Sequence, residues 1–262
     1  PRLVAEARIP ITKEDIVCDL PYPLECGLWF DHHEGNLEEL EYRNINIEDI
    51  GGRFKVEDSC ARVVYDYLLA HAYSMPEYYS DMVDEADIID SFNYADIEEW
   101  RRETPGKILD ATIKVKEVSA ERKWEYLRNL VRHLKGRPID EVAKMTSVRK
   151  RYRQYREEEE QMLERIKEEI TFLPEDPDHK IIILDLTHHY RRPNILKQLA
   201  YLVHPEAEAV LLVNNVYKDR TKTNDLTFSM SLSLNMNQTE HTKDIGDIMR
   251  SLNIGSGHPG AA

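Results

Sequence analysis

The chain has 262 residues, 41% hydrophobic and 32% charged, which suffices for one large domain or two moderate ones. Its formal charge of −14 excludes tight, nonspecific binding to long duplex nucleic acid, which needs a basic surface. No apolar stretch approaches the ~20 residues that span a bilayer, and no basic start with a short apolar core reads as a secretion signal. Cys18, Cys26 and Cys60 lack zinc-type spacing and cannot pair completely, so a reducing, cytoplasmic setting without membrane is expected.

Ile16-Val17-Cys18 reads as a short buried strand with Asp19 at its C-terminal edge. Residues 20–26 read as loop, and Gly27-Leu28-Trp29-Phe30 as a second strand running into Asp31-His32-His33. As a hairpin, the two strands would hold Asp19 and Asp31 ~13 Å apart. As a parallel pair they would bring both acids to one edge, where α/β sheets bind ligands. The connection is short for a crossover helix, and the sequence leaves the choice open.

Asp58-Ser59 predict a helix cap, followed by Val63, Val64, Tyr67 and Leu68 on one face. Further helices are expected over 77–90, 98–102, 107–114 and 120–135, the last stopped by Gly136 and Pro138. A long helix is expected over 140–171, with Met145, Val148, Tyr152, Tyr155, Met162, Ile166 and Ile170 forming a stripe interrupted by Glu159. After Pro174 and Pro177 the texture changes. Strands at Ile181 to Leu184, Val210 to Val213 and Leu226 to Leu234 enclose a helix near 193–203, and a short helix covers 242–252. The expected division is 1–138, a helical linker over 139–177, and a smaller α/β domain over 178–262. Both ends read as cropped, since the chain starts at Pro1 and stops at Gly260-Ala261-Ala262.

A carboxylate and two imidazoles at the end of a buried strand cost several kcal/mol unless something binds or pairs them. A divalent metal is one compensation, since Asp and His both ligate Mn and Zn. The plainer alternative is a solvated strand-to-loop junction. In chain order there follow Ala86-Asp87 near a helix end and Gly255-Ser256-Gly257-His258. Together with Asp19 and Asp31-His32-His33, these resemble the DHH phosphoesterase superfamily in its group with an accompanying DHHA1 domain, and especially its exopolyphosphatase-like and oligoribonuclease-like members. The family's first motif, His-x-Asp-x-Asp-Gly, is absent, and Ser256 replaces a glycine of its Gly-Gly-Gly-His loop.

The resemblance implies an α/β fold: a mostly parallel N-terminal DHH sheet with helices, a long linker helix and a smaller mixed-sheet DHHA1 domain. It implies Asp19 bridging two metals, with His32 and Asp87 completing the second site and Asp90 as the competitor of Asp87. His33 would bind the scissile phosphate or handle a proton, and Asp31 would orient an imidazole. Gly255, Ser256, Gly257 and His258 would receive a terminal phosphate; the plain alternative is a helix C-cap at Gly255 followed by an ordinary loop. Mn2+ is the expected cofactor, with Mg2+ or Co2+ as alternatives, acting on a water and on the phosphoryl charge without a protein nucleophile. The implied activity is metal-dependent hydrolysis of a small phosphorylated substrate lying between the domains: a short oligonucleotide, a nucleotide bisphosphate, polyphosphate or a cyclic dinucleotide. The chain as given would be impaired by the missing motif, and the alternative is a catalytically impaired nucleotide-binding or regulatory protein. Homodimers are frequent in the family.

Two other features carry less weight. His188-His189, with Asp185 nearby, imitate the first pair but read as loop residues. From Arg149 to Arg156 basic and aromatic residues interleave, as in single-stranded nucleic-acid sites. Glu157 and Glu160 can pair with Arg153 and Arg156, which favours a solvated helix face.

Overall fold

The computed structural model describes residues 2–5, 8–218, 221–234, 244–255 and 260–261. Two units result, one of Pro1–Asn93 with Glu103–Tyr152, the other of Tyr94–Arg102 with Arg153–Ala262. The division falls inside a continuous helix, where neither proline nor a change of composition marks it.

In the first unit a short helix, α1 (Arg2–Ala5), precedes β1 (Ile16–Cys18), β2 (Leu28–Asp31) and β3 (Gly52–Phe54). These strands form a parallel sheet with β2 in the centre, pairing Cys18 with Phe30 and Asp31 with Phe54. The connection over residues 19–27 contains no helix; Asp19 N donates to Phe30 O at 2.9 Å and Gly27 N to Asp15 O at 2.8 Å. The parallel alternative is therefore the one adopted. Helix α2 (Glu34–Tyr42) and a 3-10 turn (Ile47–Asp49) lead from β2 to β3.

Strand β2 is apolar without alternation because both of its faces are covered. Trp29 packs with Val17 and Leu40, stacks on Phe54 and donates its indole N–H to Leu20 O at 2.8 Å. Phe30 packs on the other side with Cys60 and Val63 of α3 (Cys60–Ala70) and meets the Tyr67 ring edge-on. As expected, Ser59 caps α3, accepting from Arg62 N at 3.1 Å. Helices α4 (Tyr78–Asp90), α6 (Pro105–Lys114), α7 (Ala120–Leu134) and α8 (Ile139–Lys144) follow, while α5 (Ile97–Arg101) belongs to the second unit.

The expected helix over 140–171 is two helices, α8 and α9 (Thr146–Glu169). Met145 between them is extended, and its carbonyl accepts from Arg149 N, the first bond of α9. Thr146 and Ser147 are weak interior helix formers, so the break costs little. It lets Val142, Ala143 and Val148 bury in one cluster with Ile108 and Leu130.

The second unit carries a mixed four-stranded sheet in the order β4 (Ile170–Thr171), β5 (Ile181–Asp185), β6 (Ala209–Lys218), β7 (Thr221–Leu232). Only the β5–β6 pair is parallel. Where an α-helix is expected near 193–203, a 3-10 helix forms over Lys197–Leu202. Leu199, Ala200 and Tyr201 are buried consecutively there, which an amphipathic α-helix does not permit. Helix α10 (Ile245–Ser251) follows.

Glu159 interrupts the apolar stripe of α9 because it is a buried anchor. Its carboxylate receives Arg101 Nη1 at 2.8 Å and Nη2 at 2.7 Å, with Arg156 also bonded to it. Burial pushes the Glu159 carboxyl upward, but Arg101 and Arg156 outweigh it and hold the group below its usual range. Removing one partner of such a pair leaves a charge buried alone. Arg101→Ala is expected to lower unfolding free energy by about 3 kcal/mol, read from denaturant midpoints.

Gly52 has φ +110°, and a Cβ there would lie 2.1 Å from Trp29 O. Gly52→Ala must separate β2 from β3. A loss of at least ~2 kcal/mol, measured in the same way, is the expected outcome.

Candidate metal centre

Parallel pairing of β1 and β2 sets Asp19 and the Asp31-His32-His33 run at the same sheet edge. Asp19 adopts φ 60°, a left-handed conformation that Asp tolerates better than most residues. His32 is held by its Nδ1–H, which donates to the Glu57 carbonyl at 2.8 Å. That bond fixes the tautomer and leaves Nε2 as the ligand nitrogen.

Nε2 of His32 lies 3.4 Å from Asp19 Oδ1 and 3.4 Å from Asp90 Oδ2. Both separations exceed the 2.7–2.9 Å of a close charge-assisted hydrogen bond. Nε2 is buried and has no hydrogen-bond partner among the described residues. Asp19, His32 and His33 each offer a donor atom, all within 4.8 Å of one another.

The Asp19 carboxylate raises the His32 imidazole to about 9 against the opposing effect of burial, and the Glu57 bond and the Asp90 charge add to the rise. Burial and then the Asp19 charge push the Asp90 carboxyl up, with His32 and His33 opposing.

Asp31 is fully buried, and both of its carboxylate oxygens accept a hydrogen bond. His33 Nδ1 donates to its Oδ1 at 2.9 Å and Asn36 Nδ2 to its Oδ2 at 2.6 Å. The His33 ring is therefore held through Nδ1 beside Asp31, with Asp19 Oδ1 3.7 Å from the same nitrogen. Asn36 was not singled out from sequence, although its place one helical turn into α2 is what lets it reach back to Asp31.

Asp87 and Asp90 are separated by the structure. Asp87 Oδ1 accepts from Ser59 Oγ at 2.6 Å, and its Oδ2 accepts from Arg62 Nε at 2.8 Å and Nη2 at 2.6 Å. Arg62 also reaches Asp84. Asp87 is thus engaged in tying α4 to α3, and the carboxylate brought to His32 is Asp90, at the last residue of α4. Residues Ser256, Gly257 and His258 lie outside the described residues. Gly255 is exposed, and α10 ends earlier, with Leu252 as C-cap followed by Asn253 at φ 53° and Ile254 N donating to Met249 O.

Three arginines of the basic stretch on α9 are committed within their own units. Arg151 bonds Thr112 O and Glu117 and lies 4.1 Å over the Tyr126 ring, and Arg149 pairs with Glu103. Arg156 pairs with Glu159 rather than with Glu160, because Glu159 is the carboxylate already buried beside Arg101.

No protein-family profile matches the chain, and no curated protein matches it. Among solved structures, a pGpG-specific phosphodiesterase, PggH, from Vibrio cholerae superposes with a TM-score of 0.66 at 22% identity. The match covers 100% of this chain and 81% of that one. It establishes the same overall fold, a parallel-sheet unit followed by a mixed-sheet unit.

The raised His32 has a stability consequence in metal-free protein. A group whose folded pKa is about 9 against 6.5 stabilises the fold fully below pH 6.5, and the contribution is lost as pH rises through 9. The limit is ~3 kcal/mol. In chelator-treated protein, the stability difference between wild type and His32→Gln is expected to shrink from pH 6 to pH 9.5, as read by urea denaturation across that range.

Proposed function

We propose that this chain is a divalent-metal phosphodiesterase of DHH type acting on a short phosphorylated substrate, with linear dinucleotides as the leading class. The observation that carries the reading is the buried His32 Nε2, 3.4 Å from both the Asp19 and Asp90 carboxylates and without a hydrogen-bond partner among the described residues. The likeness in fold to a phosphodiesterase whose name specifies pGpG supports the substrate class.

The donor set fits Mn2+, with Mg2+ or Co2+ as alternatives: one imidazole nitrogen with the tautomer already set, and two carboxylates. Asp19, His32 and Asp90 would hold the ion. When bound, it would neutralise charge on the phosphoryl group and make a nearby water a better nucleophile. His33, fixed through Nδ1 by Asp31, would place its ring beside the ion to meet a phosphoryl oxygen or handle a proton. Asp31 positions that ring and Asn36 positions Asp31. Arg62 and Ser59 hold Asp87, and with it the α4 turn that presents Asp90.

The sequence contains no His-x-Asp-x-Asp-Gly motif, so the donors described here account for one cation, and turnover by these 262 residues is expected to be weak. The test is a Mn2+-dependent hydrolysis panel of pGpG and pApA, 3′,5′-bisphosphates, polyphosphate and cyclic di-AMP, with Mn2+ binding followed by calorimetry. Asp90→Asn and His32→Gln are expected to lower Mn2+ affinity and turnover by at least about 100-fold. Asp87→Asn, in contrast, is expected to lower thermal stability while retaining measurable Mn2+ affinity. Equal turnover in wild type and His32→Gln would overturn the assignment. Tight dinucleotide binding with no turnover, even at saturating Mn2+, would favour the binding-protein alternative.

A further inference from the structure

His188 and His189, which read as ordinary loop residues in the sequence, acquire a partner from a distant part of the chain. Glu169, the last residue of α9, brings its carboxylate to both rings. His189 Nε2 lies 2.7 Å from Glu169 Oε1, and His188 Nε2 lies 3.4 Å from Oε2. The three residues each present a donor atom, all within 4.8 Å of one another. The carboxylate is largely buried, the His189 side chain is 29% exposed and that of His188 61% exposed, so the group is open to solvent on one side only.

The loop that carries the histidines is pinned through its backbone. Lys222 Nζ donates to Thr187 O, and Tyr217 Oη lies 3.4 Å from both His189 O and Tyr190 O. Asp185 Oδ1 accepts from Thr187 N at 2.9 Å, and His189 N donates to Leu186 O. The two rings are thus presented side by side, with centroids 4.0 Å apart, by a frame that does not depend on their own contact with Glu169.

We propose that Glu169, His188 and His189 form a second, independent metal site in the C-terminal unit, taking a borderline divalent ion of the Zn2+ class. Tetrahedral ligands at Zn–N and Zn–O lengths of ~2.0–2.2 Å stand ~3.3–3.6 Å apart. The separation of His188 Nε2 from Glu169 Oε2, 3.4 Å, has that value; His189 Nε2 meets the other carboxylate oxygen, Oε1, at 2.7 Å, a hydrogen bond that a shared ion would replace. Two imidazoles and one carboxylate form a donor set that favours Zn2+ over the harder Mg2+ or Mn2+. Three protein ligands with one solvent-facing side leave a fourth position for water or an anionic group. The site shares no residue with the Asp19–His32 cluster and its occupation does not rest on the proposed activity.

The test uses the full chain, stripped by chelator and titrated with Zn2+ by calorimetry and with Co2+ by its visible d–d absorption. His188→Gln changes a mostly exposed ring and leaves the fold intact. It is expected to remove one equivalent of tightly bound Zn2+, weakening that site by about 100-fold, and to remove the four-coordinate Co2+ bands assigned to it. His32→Gln is expected to leave this equivalent in place. Glu169→Gln, which keeps a neutral acceptor in the same volume, is expected to weaken binding to a similar degree. Unchanged Zn2+ stoichiometry and affinity in His188→Gln and Glu169→Gln would overturn the proposal, as would absence of Zn2+ binding that survives His32→Gln.

Discussion

The parallel pairing of β1 with β2 determines what the first unit can do, because it fixes which side chains share an edge. A hairpin with the same residues would have placed Asp19 at the opposite end of β2 from Asp31. Here Asp19 N reaches the Phe30 carbonyl, so the chain turns at Asp19 while still bonded to the last apolar residue of β2. The left-handed backbone at Asp19 is the local cost of that turn, of order 1–3 kcal/mol at most for a non-glycine residue. Trp29 and Phe30 offset it by burying opposite faces of β2 against separate clusters. The sheet edge is held by the core immediately behind it.

Behind the edge, polar groups are buried in matched sets. Asp31 has no exposed surface, yet both of its oxygens are satisfied, one by His33 and one by Asn36. Without either donor a buried carboxylate would cost several kcal/mol. The same logic holds at Glu159, which is buried but held charged by Arg101 and Arg156. His32 Nε2 departs from this pattern, being buried beside carboxylates with no hydrogen bond of its own. Arg151 Nη2, Gln198 Oε1, Asn215 Oδ1 and Ser231 Oγ are likewise buried without a hydrogen-bond partner among the described residues, and it is the 3.4 Å spacing to two carboxylate oxygens that marks out His32 Nε2.

Much of this was legible in residue types and their order. The strand-end Asp-His-His run, Asp19 and the change of texture after Pro174 pointed to a parallel-sheet unit followed by a mixed one. What the sequence could not resolve was partner choice. His188-His189 had only Asp185 nearby in sequence, and the acid that meets both rings, Glu169, reaches them only once β4 pairs with β5. The 149–156 stretch read as a solvated helix face with a nucleic-acid surface as the alternative, because Glu117 and Glu103, which pair with Arg151 and Arg149, lie far along the chain from them. The break at Met145 was hidden by an apolar stripe that runs across it without a change of phase. Each miss concerns contacts between segments distant in sequence, which local pattern does not encode.

The contrast between Asp87 and Asp90 follows from helix geometry together with one arginine. Asp84, Asp87 and Asp90 are spaced three apart on α4, so successive carboxylates are neighbours on its surface. Arg62, projected from α3, satisfies the first two, and Ser59 adds a second donor to Asp87. The third lies beyond the reach shown for this guanidinium, at the C-terminal residue of the helix, where the macrodipole already disfavours negative charge. Burial and the Asp19 charge push the Asp90 carboxyl up further. A carboxylate is therefore held in an unfavourable field by a scaffold that keeps its neighbours paired. The Asp90 carboxylate thus stands at the helix terminus beside His32 while Asp87 is taken up by Arg62 and Ser59, and for that reason the pairing of Asp87 supports the case for Asp90 as the acid that faces His32.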